Sequence, residues 1–380
     1  MTGSKRQSVP GLYIHIPFCV SKCDYCNFYS VTDCSKIPIF IECLLNEIEL
    51  YKNYFDRFDT VYLGGGTPSI LNPKQLGIIL DEVHKYFLIL EDAEITCEVN
   101  PGDLSLNYLH SLHDMGINRL SIGVQSFDDD LLTFLGRRHS ASEAMNALDN
   151  SRKAGFENIG FDLIYGIPGQ NLKSWEKDLH QALSFESEHI SCYELTLEGD
   201  TPLAFKYTNG DISLPDNEML YKLFIETSEF LEDAGYIHYE VSNFARNINL
   251  QSRHNQKYWD HTSYLGIGPA AHSFLKNKRW WNHRSLDHYT GDVKERRPPI
   301  GGREGLTLKQ LRDEALYLGL RTRKGIHLKD FLMRYNCDLL REKKEIIKRL
   351  TEDHLIEIHN GTLQPTVKGL ALADSIYREL

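Results

Sequence analysis

Residues 12–30 read LYIHIPFCVSKCDYCNFYS, an apolar strand that runs straight into a loop carrying Cys19, Cys23 and Cys26. Three thiolates at C-x3-C-x2-C spacing can ligate three irons of a [4Fe-4S] cluster and leave the fourth iron without a protein ligand. Such an open iron is a place for chemistry, whereas a fully ligated cluster mostly carries electrons. Two other readings compete. Structural zinc usually takes four ligands in paired C-x2-C units, and no second pair occurs in the chain. A redox C-x-x-C leaves the third cysteine unexplained. Phe28, two residues past Cys26, is placed either to shield a cluster or simply to pack.

Outward from this loop, apolar segments alternate with amphipathic ones. After 12–18 come TVYLG (60–64), EITCEV (94–99), RLSIGVQ (119–125), NIGFDLIYG (158–166) and HISCYEL (189–195). Helical stretches fall near 37–57, 73–87, 105–115, 142–154, 174–186 and 216–234. Strands rich in Val, Ile and Leu are those buried on both faces, and β-then-α units imply a parallel sheet with right-handed crossovers. Six units are too few to close an eight-stranded barrel. The pattern alone allows a partial barrel or an open, doubly wound sheet.

In either architecture function gathers at the carboxyl ends of the strands, and polar motifs stand there. Gly64-Gly65-Gly66-Thr67-Pro68 follows the second strand, where residues without side chains let backbone approach a ligand. Glu98 ends the third strand, Gln125 the fourth, and Asp162 lies in the fifth; Arg137, in LGRRHS, carries a planar fork suited to a carboxylate. Singly, each is more often a cap or a solvated residue. Their significance is that they occur in order, one strand after another.

Taken with the cysteine spacing, this series resembles the radical S-adenosylmethionine (SAM) superfamily, within it the subgroup of oxygen-independent coproporphyrinogen III oxidases and HemW-type haem chaperones. The resemblance implies an α/β fold, a partial (β/α)6 radical SAM barrel. It implies a [4Fe-4S] cluster on Cys19, Cys23 and Cys26, with the amino and carboxylate groups of SAM chelating the open iron. The reduced cluster then cleaves SAM to methionine and a 5'-deoxyadenosyl radical. SAM-binding roles carry over to Tyr13, Gly65, Gly66, Thr67, Glu98, Gln125, Arg137 and Asp162.

Three features separate oxidase from chaperone. The oxidase pattern adds a cysteine two residues after the third ligand, where this chain has Phe28, and a sizeable segment before the cysteines, where it has 18 residues. His254-Asn255-Gln256-Lys257-Tyr258-Trp259 matches the HNxxYW motif of the chaperones. An imidazole suits haem iron, and aromatic rings suit the macrocycle. The resemblance therefore implies haem as cargo held by His254, Tyr258 and Trp259, with His261, His272 and His283 as alternative ligands. Apo-haemoproteins, respiratory enzymes among them, would be recipients, with peripheral membrane contact following from membrane-bound ones. The competing reading is an enzyme acting on a tetrapyrrole, either an oxidative decarboxylase or a haem-opening methyltransferase.

Composition is that of an ordinary globular protein, with 41% hydrophobic and 25% charged residues among 380. No apolar run approaches a membrane span, and the start MTGSKRQSVPG lacks the apolar core of a signal peptide. A cytoplasmic location follows, where cysteines are more often metal ligands or buried thiols than disulfides. A net charge of −11 disfavours nucleic acid as main partner. Residues 301–380 carry 15 Lys and Arg against 12 Asp and Glu, leaving 27 against 41 in the first 300. Three regions are expected: 1–235 the barrel, 236–300 an aromatic, histidine-rich extension, and 301–380 a winged-helix-like α+β domain. The last has a hairpin turning at Asn360-Gly361 and a packing or lid role. Self-association is left open.

Overall fold

The computed structural model describes residues 9–380; the first eight residues of the polar start lie outside them. Its centre is a block of parallel strands: β1 (Gly11–Ile16), β2 (Arg57–Gly65), β3 (Leu88–Val99), β4 (Arg119–Gln125), β5 (Ile159–Tyr165) and β6 (His189–Glu194). All six apolar segments read from the sequence are strands, and the helices between them fall where the amphipathic stretches predict, from Ile37–Leu50 to Asn217–Asp233.

Alternation along the strands decides how the two faces differ. Leu12, Ile14 and Ile16 of β1 are fully buried in one core with Phe40, Leu44 and Ile48 of the helix Ile37–Leu50. The intervening residues, Tyr13 and His15, line a cavity with Tyr62, Glu98, Ser121, Asp162 and Ser191 from β2 to β6. Side chains of six successive strands reach one cavity only if the sheet curves around it. The sheet stays open at both ends, so it is the partial barrel rather than the flat doubly wound alternative.

The 236–300 segment adds to both edges of this sheet. Strands β7 (Ile237–Glu240) and β8 (Asn243–Ala245) extend it beyond β6, antiparallel. On the other side β9 (Tyr264–Ile267) runs parallel to β1, followed by the antiparallel β10 (His272–Leu275), β11 (Lys278–Asn282) and β12 (Ile300–Gly305). Glu47 ties this side down. Fully buried, it accepts hydrogen bonds from Tyr289 Oη (2.7 Å), Gly268 N (2.8 Å) and Asn282 Nδ2 (2.6 Å).

From Leu308 onward the chain forms a second core of its own, with Leu316, Leu320, Phe331, Ile347, Ile356 and Leu363 among its members. The helix Leu308–Gly319 leads to the short strand β13 (Ile326–His327), then come the helices Leu328–Tyr335 and Lys344–Glu352 and the strands β14 (Ile356–His359) and β15 (Thr362–Pro365), with β13, β14 and β15 forming a three-stranded sheet. That is the winged-helix-like order. Asn360 and Gly361 both take positive φ (49° and 76°), the two-residue turn that matches strand twist. The module joins the barrel by backbone: Val241 N donates to Arg321 O (2.8 Å) and Arg323 N to Tyr239 O (3.0 Å).

Candidate functional site

The parallel strands open onto a cavity of about 820 Å³. Twelve of the fourteen site residues expected from sequence are placed in or against it, and Tyr13, the three cysteines, Gly65, Gly66, Thr67, Glu98, Gln125, Arg137, Asp162 and Tyr258 line it directly.

The cysteine loop is held by its neighbours. Cys19 N donates to Val31 O (3.1 Å), Asp24 N to Leu135 O (3.3 Å) and Leu203 N to Asp24 O (3.0 Å). Donors already face two of the sulfurs: Thr67 Oγ1 lies 3.5 Å from Cys19 Sγ, and Arg137 Nη1 lies 3.4 Å from Cys23 Sγ. Donors around metal-ligating side chains hold them in orientation for the metal. Among the described residues no three His, Cys, Asp or Glu side chains converge on one point that a single ion could occupy. A cluster asks instead for sulfurs on separate irons, and three thiols around one cavity fit that demand. Phe28 is 68% exposed at the rim.

The glycine turn is required sterically. A Cβ on Gly66 would meet Phe18 O at 2.7 Å, and one on Gly65, whose φ is +112°, would meet the His15 ring at 2.5 Å. Glu98 clamps this turn, its carboxylate accepting from Gly65 N (3.0 Å) and Tyr62 Oη (2.8 Å). Burial raises its pKa to about 7, although both hydrogen bonds act the other way. Asp162 is also raised by burial. Gln125 sits at φ 70° beside an irregularity in the β4–β5 pairing, the sparsely populated backbone that functional sites retain. Arg137 sends Nη2 to Gly123 O (2.8 Å) and Nη1 toward Cys23, so its fork faces the cysteine loop in this state.

Several cavity residues escaped the sequence reading. His15 bonds Tyr13 Oη (3.0 Å) and Tyr29 O (2.8 Å), and burial lowers its pKa to about 4. Arg119, only 2% exposed at the start of β4, lines the cavity with its Nε unpartnered. The signal for it was available: 119, 121, 123 and 125 alternate along one strand, and all four line the cavity.

The HNxxYW segment forms the short helix Arg253–Trp259, capped by Ser252. Glu94 of β3 accepts from Arg253 N and His254 N (both 3.0 Å), satisfying free donors at the helix start. Lys257 reaches Asp59 Oδ1 (2.6 Å) and Val9 O (2.7 Å). His254 is 1% exposed, with Nδ1 bonded to Thr60 Oγ1 (2.8 Å) and Nε2 to Tyr258 Oη (2.9 Å). Burial keeps it neutral, with a pKa near 3. Both ring nitrogens are therefore occupied, and donation to iron requires Tyr258 to move. Trp259 points elsewhere, into a second cavity shared with the carboxyl-terminal module.

A partial parallel barrel with three cysteines and a glycine turn at its mouth defines a radical SAM protein, and the radical SAM superfamily profile matches residues 13–182. A HemN C-terminal domain profile matches 306–372. The haem chaperones HemW of Bacillus subtilis (strain 168) and Lactococcus lactis subsp. lactis (strain IL1403) are each 33% identical to this chain. The first match covers 96% of this chain and 97% of the relative, the second 97% and 96%. The mitochondrial radical S-adenosyl methionine domain-containing protein 1 of Danio rerio is 35% identical over 96% of this chain and 85% of its own. The chain belongs to the HemW family. The solved coproporphyrinogen III oxidase HemN of Escherichia coli shares its fold, with a TM-score of 0.84 at 24% identity over 99% of this chain and 91% of that one. No described helix is long and apolar enough to cross a membrane.

Proposed function

We propose that this protein is a haem chaperone with a radical SAM site: it holds haem through the HNxxYW segment and delivers it to apo-haemoproteins. Near-full-length likeness to HemW chaperones carries the reading, and the departures from the oxidase pattern at Phe28 support it. In the barrel, Cys19, Cys23 and Cys26 would hold three irons of a [4Fe-4S] cluster. Tyr13, Gly65, Gly66, Thr67, Glu98, Gln125, Arg137 and Asp162 would hold SAM. When bound, these cofactors supply reductive cleavage of SAM. The chain's own residues orient and enclose: the glycine turn gives backbone access, Glu98 fixes that turn, and Arg137 holds a cysteine sulfur in orientation.

The test is an anaerobic incubation of cluster-reconstituted protein with SAM, reductant and coproporphyrinogen III, run beside a haem titration and transfer to an apo-haemoprotein. Haem binding and transfer without protoporphyrinogen supports the chaperone. Decarboxylated product, or failure to bind haem, overturns it.

A further inference from the structure

The second cavity, about 420 Å³, lies between the Arg253–Trp259 helix with its following turn and the carboxyl-terminal module. One wall carries Trp259, the last residue of the HNxxYW motif; the opposite wall carries Phe331 and Tyr335, whose rings pack 4.9 Å apart. Lys324 and Arg334 line its edge and are exposed, with Asp260 3.9 Å from Lys324.

His261 also lines this cavity, and its surroundings are unusual. It takes φ 56°, a left-handed conformation that a side chain adopts at some cost. Its side chain is 5% exposed and Nε2 lies 3.2 Å from Glu314 Oε2. Glu314 is itself fixed by Arg279, whose Nη1 and Nη2 approach at 3.0 and 2.8 Å. A carboxylate can only accept, so Nε2 carries the proton. Burial lowers the pKa, keeping the ring neutral, and Nδ1 is left as a lone pair. That lone pair is buried and has no hydrogen-bond partner. Buried polar atoms without partners are costly; ring nitrogens of His139, His189 and His238 share this state, and of the four histidines His261 is the one that lines this cavity. A carboxylate holding one imidazole nitrogen while the other stays open is the arrangement that orients metal-binding histidines. Tyr335 Oη is likewise buried and unpartnered.

We infer that this crevice is the haem site, with Trp259 against the macrocycle, His261 as the protein ligand to iron, and Lys324 and Arg334 near the carboxylate edge. The inference rests on the chaperone reading above but assigns the iron ligand to a residue outside the motif. The Trp259 indole suits a porphyrin face, and two cations at the rim suit its propionates. Glu314 and Arg279 are positioning residues, acting on haem through the imidazole.

The experiment is an absorbance titration of the full chain with haemin and, separately, with metal-free protoporphyrin. Wild-type protein that binds no haemin defeats the chaperone reading and this inference with it. Given haemin binding, His261→Ala is expected to change the ferric spectrum and weaken haemin at least about tenfold while changing protoporphyrin binding little, since only the iron bond is lost. Trp259→Leu should weaken both porphyrins. Because buried His261 variants can fail to fold, the surface pair Lys324→Glu/Arg334→Glu gives a second reading and should weaken both. Haemin affinity and spectrum unchanged in His261→Ala, or unchanged affinity in the charge-reversed pair, overturns the site while leaving the chaperone reading intact. So does loss of the ferric spectrum in a folded His254→Gln protein when His261→Ala retains it.

Discussion

The barrel cavity and the crevice beneath the carboxyl-terminal module are built on opposite plans. The first is made by strand ends: its residues come from six parallel strands, every second position facing inward. The second is made by contact between two cores, and its buried His261 Nδ1 and Tyr335 Oη have no partners. A framework of strands fixes positions to the tolerance of a hydrogen-bonded ladder. A crevice between modules can change width. The Arg253–Trp259 helix is the shared wall, with His254 and Tyr258 four residues apart on the barrel side and Trp259 rotated toward the crevice.

The sharpest way to break this contrast is to remove the cluster. Cys23→Ala is expected to abolish iron–sulfur absorbance and bound iron after reconstitution; a parallel loss of haem affinity would show that the two regions act as one. Next in size is Gly65→Ala, which places a Cβ against His15 at a φ reserved for glycine. It should lower stability by about 1–3 kcal/mol, read by thermal melting, and weaken SAM in anaerobic calorimetry. The barrel should also respond to pH. Glu98 titrates near 7, so SAM affinity should rise as pH climbs from 6 to 8 and the carboxylate forms; Glu98→Gln should flatten that profile.

A global effect runs the opposite way. Glu47 and Glu240 are fully buried, and burial raises both from an ordinary 4.5 to about 7. A carboxyl whose folded pKa exceeds its unfolded one adds stability that is complete below about 4.5 and lost as pH rises through about 7. The buried histidines His15, His139, His238 and His254, lowered by burial, act in the opposite direction, so the test is the difference between proteins: the melting temperature of the wild type relative to Glu47→Gln should be higher at pH 6 than at pH 8. Smallest is Glu314→Ala. The Arg279–Glu314 pair is partly exposed, at 24% and 31%, so its loss should cost under about 1 kcal/mol. If His261 holds iron, the same variant still alters the ferric haem spectrum, a change that a merely structural role does not produce.

What could be read beforehand follows the physics of each region. β1 to β6 are buried on both sides and write themselves as apolar runs, and the order of Gly65, Glu98, Gln125 and Asp162 at their ends was visible with them. β7 to β12 were not: they are three to six residues long, aromatic or polar, and exist because a sheet edge was waiting for them. For this reason 236–300 looked irregular while belonging to the sheet. Arg119 was missed because a charge opening an apolar strand reads as a boundary. The division of HNxxYW was present in its spacing, but the motif suggested one ligand and one place. His261 was legible only as one of three alternative histidines near the motif, since the groups that set it apart, Glu314 and Arg279, approach it from distant parts of the chain.

The open sheet has a consequence for the life of the chain in a crowded cell. An unclosed barrel leaves two rows of backbone donors and acceptors that could recruit a neighbouring copy. At β7 the row is interrupted by the module, which pairs Tyr239 and Val241 with Arg323 and Arg321. At β12 the sequence is IGGREG, almost without side chains to zip and with Arg303 and Glu304 exposed. One border is sealed by protein and the other made unattractive by composition, so curvature that leaves room for a ligand does not also invite polymerisation.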